Sequence, residues 1–161
     1  MRLPALLIGL LLGTQPALAQ QASVDFGGLT QDTSLPVEVV SDQLDVNQSD
    51  GTAVFTGNVM VTQGEMKLTA QKIDVIYATS GQGRIQRLDA SGGVTLVNGG
   101  EAAEAESAVY EIDSGSVVMT GDVLLTQGQT ALAGNKLVID LRTGTGRMEG
   151  RVRTVFQTDG Q

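Results

Sequence analysis

A pattern of alternating apolar and polar residues recurs along the chain. In its first copy, over residues 53–64, large apolar side chains alternate with small or polar ones as far as Gly64. A period of two is typical of a half-buried β-strand, and the closing glycine indicates a turn. A second copy lies 64 residues further on, and ten of the 22 positions are identical between residues 51–72 and 115–136. The sequence therefore predicts repeated β-structure.

Two short motifs recur with a related spacing. Gly-x-Val triplets are 35, 29 and 29 residues apart, and a second motif is spaced by 29, 35 and 29 residues. The triplets begin at Gly57, Gly92, Gly121 and Gly150, and the second motif begins at Ser41, Ala70, Ala105 and Gly134. A repeat of about 30 residues with two short strands and two turns is typical of a winding chain, in which each strand pairs with its counterpart one repeat away. This predicts an all-β fold, a β-roll or jelly-roll-like solenoid of two facing sheets.

Two local details refine the predicted strands. The parity of the apolar positions changes between Ala70 and Ile73, which predicts a bulge or a corner. Residues 101–106 are rich in Ala and Glu, which favour helices. That segment is too short for a stable helix, and it continues into a copy of the second motif. We therefore predict a strand or a connection there.

The alternation assigns one face of each strand to the interior. With Phe55 inward, the same face holds Ala53, Gly57, Val59 and Val61, and the later copy selects Val117, Met119, Gly121, Val123 and Leu125. The same rule selects Leu44, Val46, Ile73, Val75, Tyr77, Val94, Leu96, Ala108, Tyr110, Ile112, Leu137, Ile139 and Leu141. Two interpretations of this apolar lining stay open: a packed sandwich core, or a groove between the sheets that holds an apolar ligand.

The first residues have the form of a cleaved secretory signal peptide. Arg2 precedes an apolar run over residues 5–12, and Ala17-Leu18-Ala19 has the small residues of a cleavage site. The run is far shorter than the roughly 20 residues of a membrane-spanning helix. We expect residues 1–19 to be removed, residues 20–34 to form a flexible lead-in, residues 35–157 to form one domain and residues 158–161 to form a tail.

Composition excludes several classes of function. The chain has no Cys and no His, which removes thiolate chemistry and most general-base and transition-metal sites. Without residues 1–19, nine Lys and Arg face eighteen Asp and Glu, and a net charge of −9 argues against nucleic-acid binding. A carbohydrate-active β-solenoid enzyme would need paired carboxylates such as Asp42 and Asp45 or Glu104 and Glu106. These are predicted to face solvent without an aromatic sugar platform, so we expect no enzyme activity, no cofactor and no metal.

Four segments, residues 41–43, 55–59, 61–64 and 108–111, resemble the OstA-like family of periplasmic lipopolysaccharide transport proteins. The resemblance extends over residues 36–156. It implies a twisted β-jelly roll of antiparallel strands in the periplasm, with a hydrophobic trough that shields the acyl chains of lipid A between the inner and outer membranes. It also implies head-to-tail self-association, and contacts with the periplasmic domain of LptC and the N-terminal domain of LptD.

Family positions that face the lipid correspond to Thr33, Val37, Leu96, Tyr110 and Ile112. The predicted lipid-binding set combines these five with three inward positions of the repeat, Phe55, Val59 and Val123. An LptC-like or LptD N-terminal-like periplasmic module is the alternative within the family. A retained membrane anchor would favour the first of these modules, and a long C-terminal barrel would favour the second.

Basic residues are concentrated near the C-terminus, whereas the N-terminal part is acidic. The cluster consists of Arg142, Arg147, Arg151 and Arg153. It is compatible with ordinary surface charge, which contributes little per pair. It is also compatible with stacking against the acidic edge of another copy through strand addition.

Overall fold

A computed structural model describes residues 29–79 and 83–156, together with the backbone of residues 23–25. Eleven strands are present in this part: β1 Ser23–Asp25, β2 Glu38–Val40, β3 Gln43–Asn47, β4 Thr52–Gln63, β5 Met66–Tyr77, β6 Ile85–Asn98, β7 Glu101–Glu111, β8 Ser116–Gln127, β9 Thr130–Asp140, β10 Thr145–Glu149 and β11 Arg153–Phe156. No helix of this part is long and apolar enough to cross a membrane. The predicted signal peptide and C-terminal tail lie outside the described residues.

The strands form one antiparallel sheet in the order β1-β10-β9-β8-β7-β6-β5-β4-β2, with β3 also on β4 and β11 also on β9. The predicted all-β antiparallel jelly roll is confirmed, and the Ala- and Glu-rich segment is strand, as expected. The predicted strand pairing was wrong: each long strand pairs with the next one in sequence, not with its counterpart one repeat away. Tight turns at residues 64–65, 99–100 and 128–129 return the chain at once, so the repeat is a hairpin of two long strands.

The Gly-x-Val motifs mark a break in the ladder of each long hairpin. Gly57 and Asn58, for example, both have positive φ, at 81° and 46°, and the pairing of β4 with β5 shifts register between Thr56 and Val59. Consecutive left-handed residues also occur at the other three motifs, at residues 92–93, 121–122 and 150–151. Glycine adopts this conformation without the steric cost of a side chain. Each motif therefore forms a corner.

The second motif lies directly against the first at every corner. A Cβ atom added to the motif glycines would come within 2.7 to 3.0 Å of the Cβ atoms of Asp42, Gln71, Glu106 and Asn135. The neighbouring strand accommodates the corner with two successive exposed residues, as at Gln71 and Lys72, which confirms the predicted change of parity. The two motif series are therefore the two sides of one repeated contact.

The corners divide the sheet into two half-sheets. The first contains residues 52–57, 71–77, 85–91, 107–111, 116–120, 136–140 and 145–149, and the second contains residues 59–63, 66–70, 94–98, 101–105, 123–127, 130–134 and 153–156. Inward residues of both belong to one buried cluster, so the half-sheets face each other across a shared core.

The predicted inward face is buried along most of the sheet, with Phe55, Tyr77 and Ile112 packed at its margin. Leu44 and Val46 were predicted inward but are 49% and 61% exposed. They lie on β3, at the end of the sheet, where no further strand among the described residues covers them. Alternation identifies the apolar face of a strand, but that face is buried only where another strand packs over it.

The corner contact predicts unequal effects for two glycine substitutions. Gly121→Ala places a methyl group on a residue with positive φ, 2.7 Å from Cβ of Glu106. Gly128 also has positive φ, but a methyl group there would have no atom within 4 Å. We expect Gly121→Ala to lower the free energy of unfolding by about 2–4 kcal/mol, and Gly128→Ala by about 1 kcal/mol. Urea unfolding of both variants measures the difference. Equal losses would show that the corner contact does not constrain the sheet.

Candidate functional site

Residues 29–35 cross between the free ends of the two half-sheets, and we call this segment the strap. Its Leu29 side chain is 0% exposed and lies in the core. The backbone N–H of Gln31 donates to the carbonyl of Leu141 at 2.7 Å, and its Nε2 donates to the carbonyl of Gln63 at 2.6 Å. Leu141 follows the first half-sheet and Gln63 ends the second, so the strap bridges the open side of the fold.

The flanking strands show the path of the strap. β1 pairs with β10 at one end of the sheet, and β2 pairs with β4 at the other. These partners are six strand spacings apart, which is about 29 Å. Residues 26–37 can span roughly 40 Å when extended. The strap therefore runs lengthwise along the opening. Leu29 is already packed, although it lies within the segment predicted as a flexible lead-in and before the predicted start near Leu35.

A buried polar cluster holds the strap in place. The Gln63 side chain is 1% exposed, and its Nε2 donates to the carbonyls of Thr33 at 3.0 Å and Leu35 at 2.9 Å. Its Oε1 accepts a hydrogen bond from the Tyr110 hydroxyl at 2.7 Å. Asn98 Nδ2 donates to the carbonyl of Thr30 at 3.4 Å. Buried amides without partners are costly, so these bonds favour the closed position.

The predicted lipid-binding residues fall into two groups. Val59, Leu96, Tyr110 and Val123 are each 1% exposed within the core, and Phe55 packs against it. The three remaining residues, Thr33, Val37 and Ile112, line one pocket of about 400 Å³ beside the strap. In this conformation the interior is filled by side chains, as in the packed-core interpretation, and the open space lies at its margin.

Sequence reasoning missed the residues that close the opening. Leu29 and Gln31 lie in a polar stretch without strand alternation, and Gln63 was not distinguished from the other residues of the repeat. The identical Gln127 of the later copy instead donates to Glu101 Oε1 at 2.6 Å. Repetition alone therefore did not distinguish the two glutamines. No group of three or more acidic residues among the described ones could hold a metal ion.

Comparison with known proteins identifies the family. A family model described as LptA/(LptD N-terminal domain) LPS transport protein matches residues 38–145. The chain belongs to this family. The lipopolysaccharide export system protein LptA of Escherichia coli K12 is 31% identical over 122 residues, which cover 72% of this chain and 65% of that protein. The predicted OstA-like resemblance is thereby confirmed.

Two further relatives extend the comparison. An uncharacterised protein of Rhizobium meliloti is 32% identical over 164 residues, which cover 96% of this chain and 87% of that protein. The crystal structure of LptH, the LptA-homologous periplasmic component of the lipopolysaccharide transport device of Pseudomonas aeruginosa, matches with a TM-score of 0.71 at 20% identity. That match covers 80% of this chain and 99% of LptH, and it confirms the fold.

The hydrogen bond from Tyr110 predicts a pH-dependent stability. Burial raises the pKa of Tyr110 to about 12, against the opposing charge of Arg142. The neutral phenol therefore stabilises the fold below pH 10, and this contribution is lost as the pH rises from 10 to 12. We expect Tyr110→Phe to lower the free energy of unfolding by about 1–3 kcal/mol at pH 8, because Gln63 Oε1 loses its donor.

Urea unfolding of both proteins across this pH range measures the effect. Groups that titrate in both proteins cancel in the difference between them. The difference should shrink above pH 10, and a constant difference would contradict the assigned role of the phenol.

Proposed function

We propose that this chain is a periplasmic component of lipopolysaccharide transport that shields the acyl chains of lipid A between the inner and outer membranes. The observation that supports this role most directly is the apolar interior, which continues from strand to strand along the sheet and has a pocket at its open side. An acyl chain of a dozen carbons costs roughly 10 kcal/mol to expose to water, at about 0.8 kcal/mol per methylene. Covering the chains removes most of this cost.

Thr33, Val37 and Ile112 make the first contacts with lipid in this proposal. Their pocket has apolar side chains, among them Leu35 and Ile85, beside the charged side chains of Arg84 and Asp113, which suits the junction between an acyl chain and its sugar. Phe55, Val59, Leu96, Tyr110 and Val123 continue the lining inward. They contact lipid only when the half-sheets separate, because four of the five are buried.

The named relatives favour an LptA-type role over the alternatives. The family model includes the N-terminal domain of LptD, but the curated E. coli match is LptA. The enzyme alternative has less support, because two of its four candidate carboxylates make structural contacts. Asp42 accepts a hydrogen bond from Asn58 at 2.8 Å, and Asp42 and Glu106 pack against corner glycines. The proposed role requires no catalysis.

The proposed location is the periplasm, reached through a signal peptide at residues 1–19. LptH is described as a periplasmic component, which agrees with this location. The domain that follows includes the strap as well as residues 35–157, since Leu29 belongs to the core.

Head-to-tail association is proposed at the two ends of the sheet. Leu44 and Val46 are exposed on β3 at one end, and Val155 and Phe156 are 48% and 71% exposed on β11 at the other. Open strand edges with exposed apolar side chains favour strand addition by a second copy, by LptC or by the N-terminal domain of LptD. Arg147 is paired with Glu149 at 2.8 Å, and Arg142 donates to the carbonyl of Asp113, so two of the four arginines are engaged within the chain.

A charge at Ile112 tests the lipid-binding role. Ile112→Glu places a carboxylate in the pocket, and we expect the affinity for purified lipid A to fall at least about tenfold because acyl chains cannot solvate it. Leu124→Glu is the matched control, since Leu124 is 38% exposed on the outward face. Leu96 is unsuitable because it is fully buried.

Mass spectrometry of co-purified lipid and a direct binding titration measure the effect, with urea unfolding to verify the fold. Equal lipid A binding by both variants would refute this pocket as the entry site.

A charged end strand tests self-association. Val155→Asp combined with Phe156→Asp should raise the concentration needed for association by more than about tenfold, because charges on an edge strand oppose strand addition. Leu124→Asp should leave it unchanged. Light scattering over a concentration series distinguishes the two, and unchanged association of the double variant would place the contact elsewhere.

A further inference from the structure

The strap satisfies side-chain donors that an acylated lipid could also use. Gln63 Nε2 is bonded to two strap carbonyls and Asn98 Nδ2 to a third. The same segment places the Leu29 side chain in the apolar core. The strap thus places a hydrocarbon group in the interior and carbonyl oxygens against two side-chain amides at the margin. An acyl chain with its ester or amide linkage has the same chemical features.

We propose that Gln63 and Asn98 form a subsite for the linkage carbonyls of an acylated lipid, and that the strap occupies this subsite until the lipid displaces it. This inference rests on the proposed lipid-binding function. Displacement exposes the donors and vacates the space of Leu29 in one movement. Tyr110 keeps Gln63 oriented throughout, because its hydroxyl holds Oε1 and leaves Nε2 directed at the carbonyls.

The surrounding groups fit this exchange. The pocket formed by Thr33, Val37 and Ile112 adjoins the bonded carbonyls of Thr33 and Leu35, so an entering lipid meets the strap at the bonds it must replace. The strap contacts the first half-sheet through the backbone bond from Gln31 to Leu141. Its loss therefore frees the two half-sheets from each other along the opening. A closed strap lowers the apparent lipid affinity by the fraction of molecules that are open.

The decisive experiment locks and releases the strap. A Cβ atom at Gly115, which has positive φ, would lie 3.3 Å from Cγ2 of Thr33 and 3.0 Å from Cγ of Arg142. The first separation permits a disulfide between Thr33→Cys and Gly115→Cys once the flexible Arg142 side chain shifts. The chain has no other cysteine. We expect the oxidised protein to bind purified lipid A at least about tenfold more weakly than the same protein after reduction. This comparison uses one polypeptide, so the effect of the substitutions themselves cancels.

Release of the strap should have the opposite effect. Leu29→Ala with Gln31→Ala removes the core anchor and the bond to Gln63, and the apparent affinity for lipid A should rise about tenfold. Thr30→Ala is the control, because Thr30 is exposed and its bonded carbonyl is retained. If the release variant does not fold, the disulfide comparison still decides the question.

A third arm tests the amide subsite. In the released protein, Gln63→Glu replaces the donor with an acceptor, and lipid A should bind at least about fivefold more weakly while an ether-linked lipid without acyl carbonyls is unaffected. Equal affinity of the oxidised, reduced and released proteins would overturn the strap proposal and leave the lipid-binding function intact. Failure of every form, including the released protein, to bind lipid A would overturn both.

Discussion

The contact between a left-handed glycine and the Cβ atom of the neighbouring strand determines the shape of the whole sheet. It occurs at four successive levels, at Gly57, Gly92, Gly121 and Gly150, and none of them leaves room for a side chain. Because the contacts recur in register, every long strand bends at the same height. The apolar halves can then face each other, whereas a flat sheet of these strands would leave one apolar face in water. The shared apolar core is thus a consequence of the glycine spacing.

A sheet folded at such corners has an open side, and that opening explains the polar cluster. Main-chain groups at the strand ends would otherwise meet an apolar interior without partners. The strap supplies an apolar side chain and polar acceptors. Leu29 fills the interior, and the strap carbonyls accept hydrogen bonds from Gln63 and Asn98. Gln127, identical to Gln63 in the repeat, binds Glu101 instead. The same glutamine of the repeat therefore has different hydrogen-bond partners in its two copies.

The sequence was sufficient to predict features that depend on neighbours along the chain. Alternation identified the inward face, and the parity change at Ala70 located a corner, because both follow from the pleat of a single strand. The pairing could not be derived, since a repeat of about 30 residues fits either a winding chain or a hairpin. The strap was also missed, because its hydrogen bonds join residues that are far apart in the sequence. Gln63 bonds to Tyr110, which is 47 residues away, and to Gln31, which is 32 residues away. Exposure of Leu44 and Val46 likewise depends on the end of the sheet, not on their alternation.

Transport imposes a constraint that a filled interior helps to satisfy. A permanently empty apolar trough would bind lipid so strongly that release would be slow, since each buried methylene contributes about 0.8 kcal/mol. Here the interior is occupied by Val59, Leu96, Tyr110 and Leu29. In the proposed mechanism, lipid replaces contacts that already exist. The net free energy of binding is then the difference between the apolar and polar contacts that lipid makes and the similar contacts that it replaces. Such a balance allows the same surface to accept a lipid and to release it to the next component.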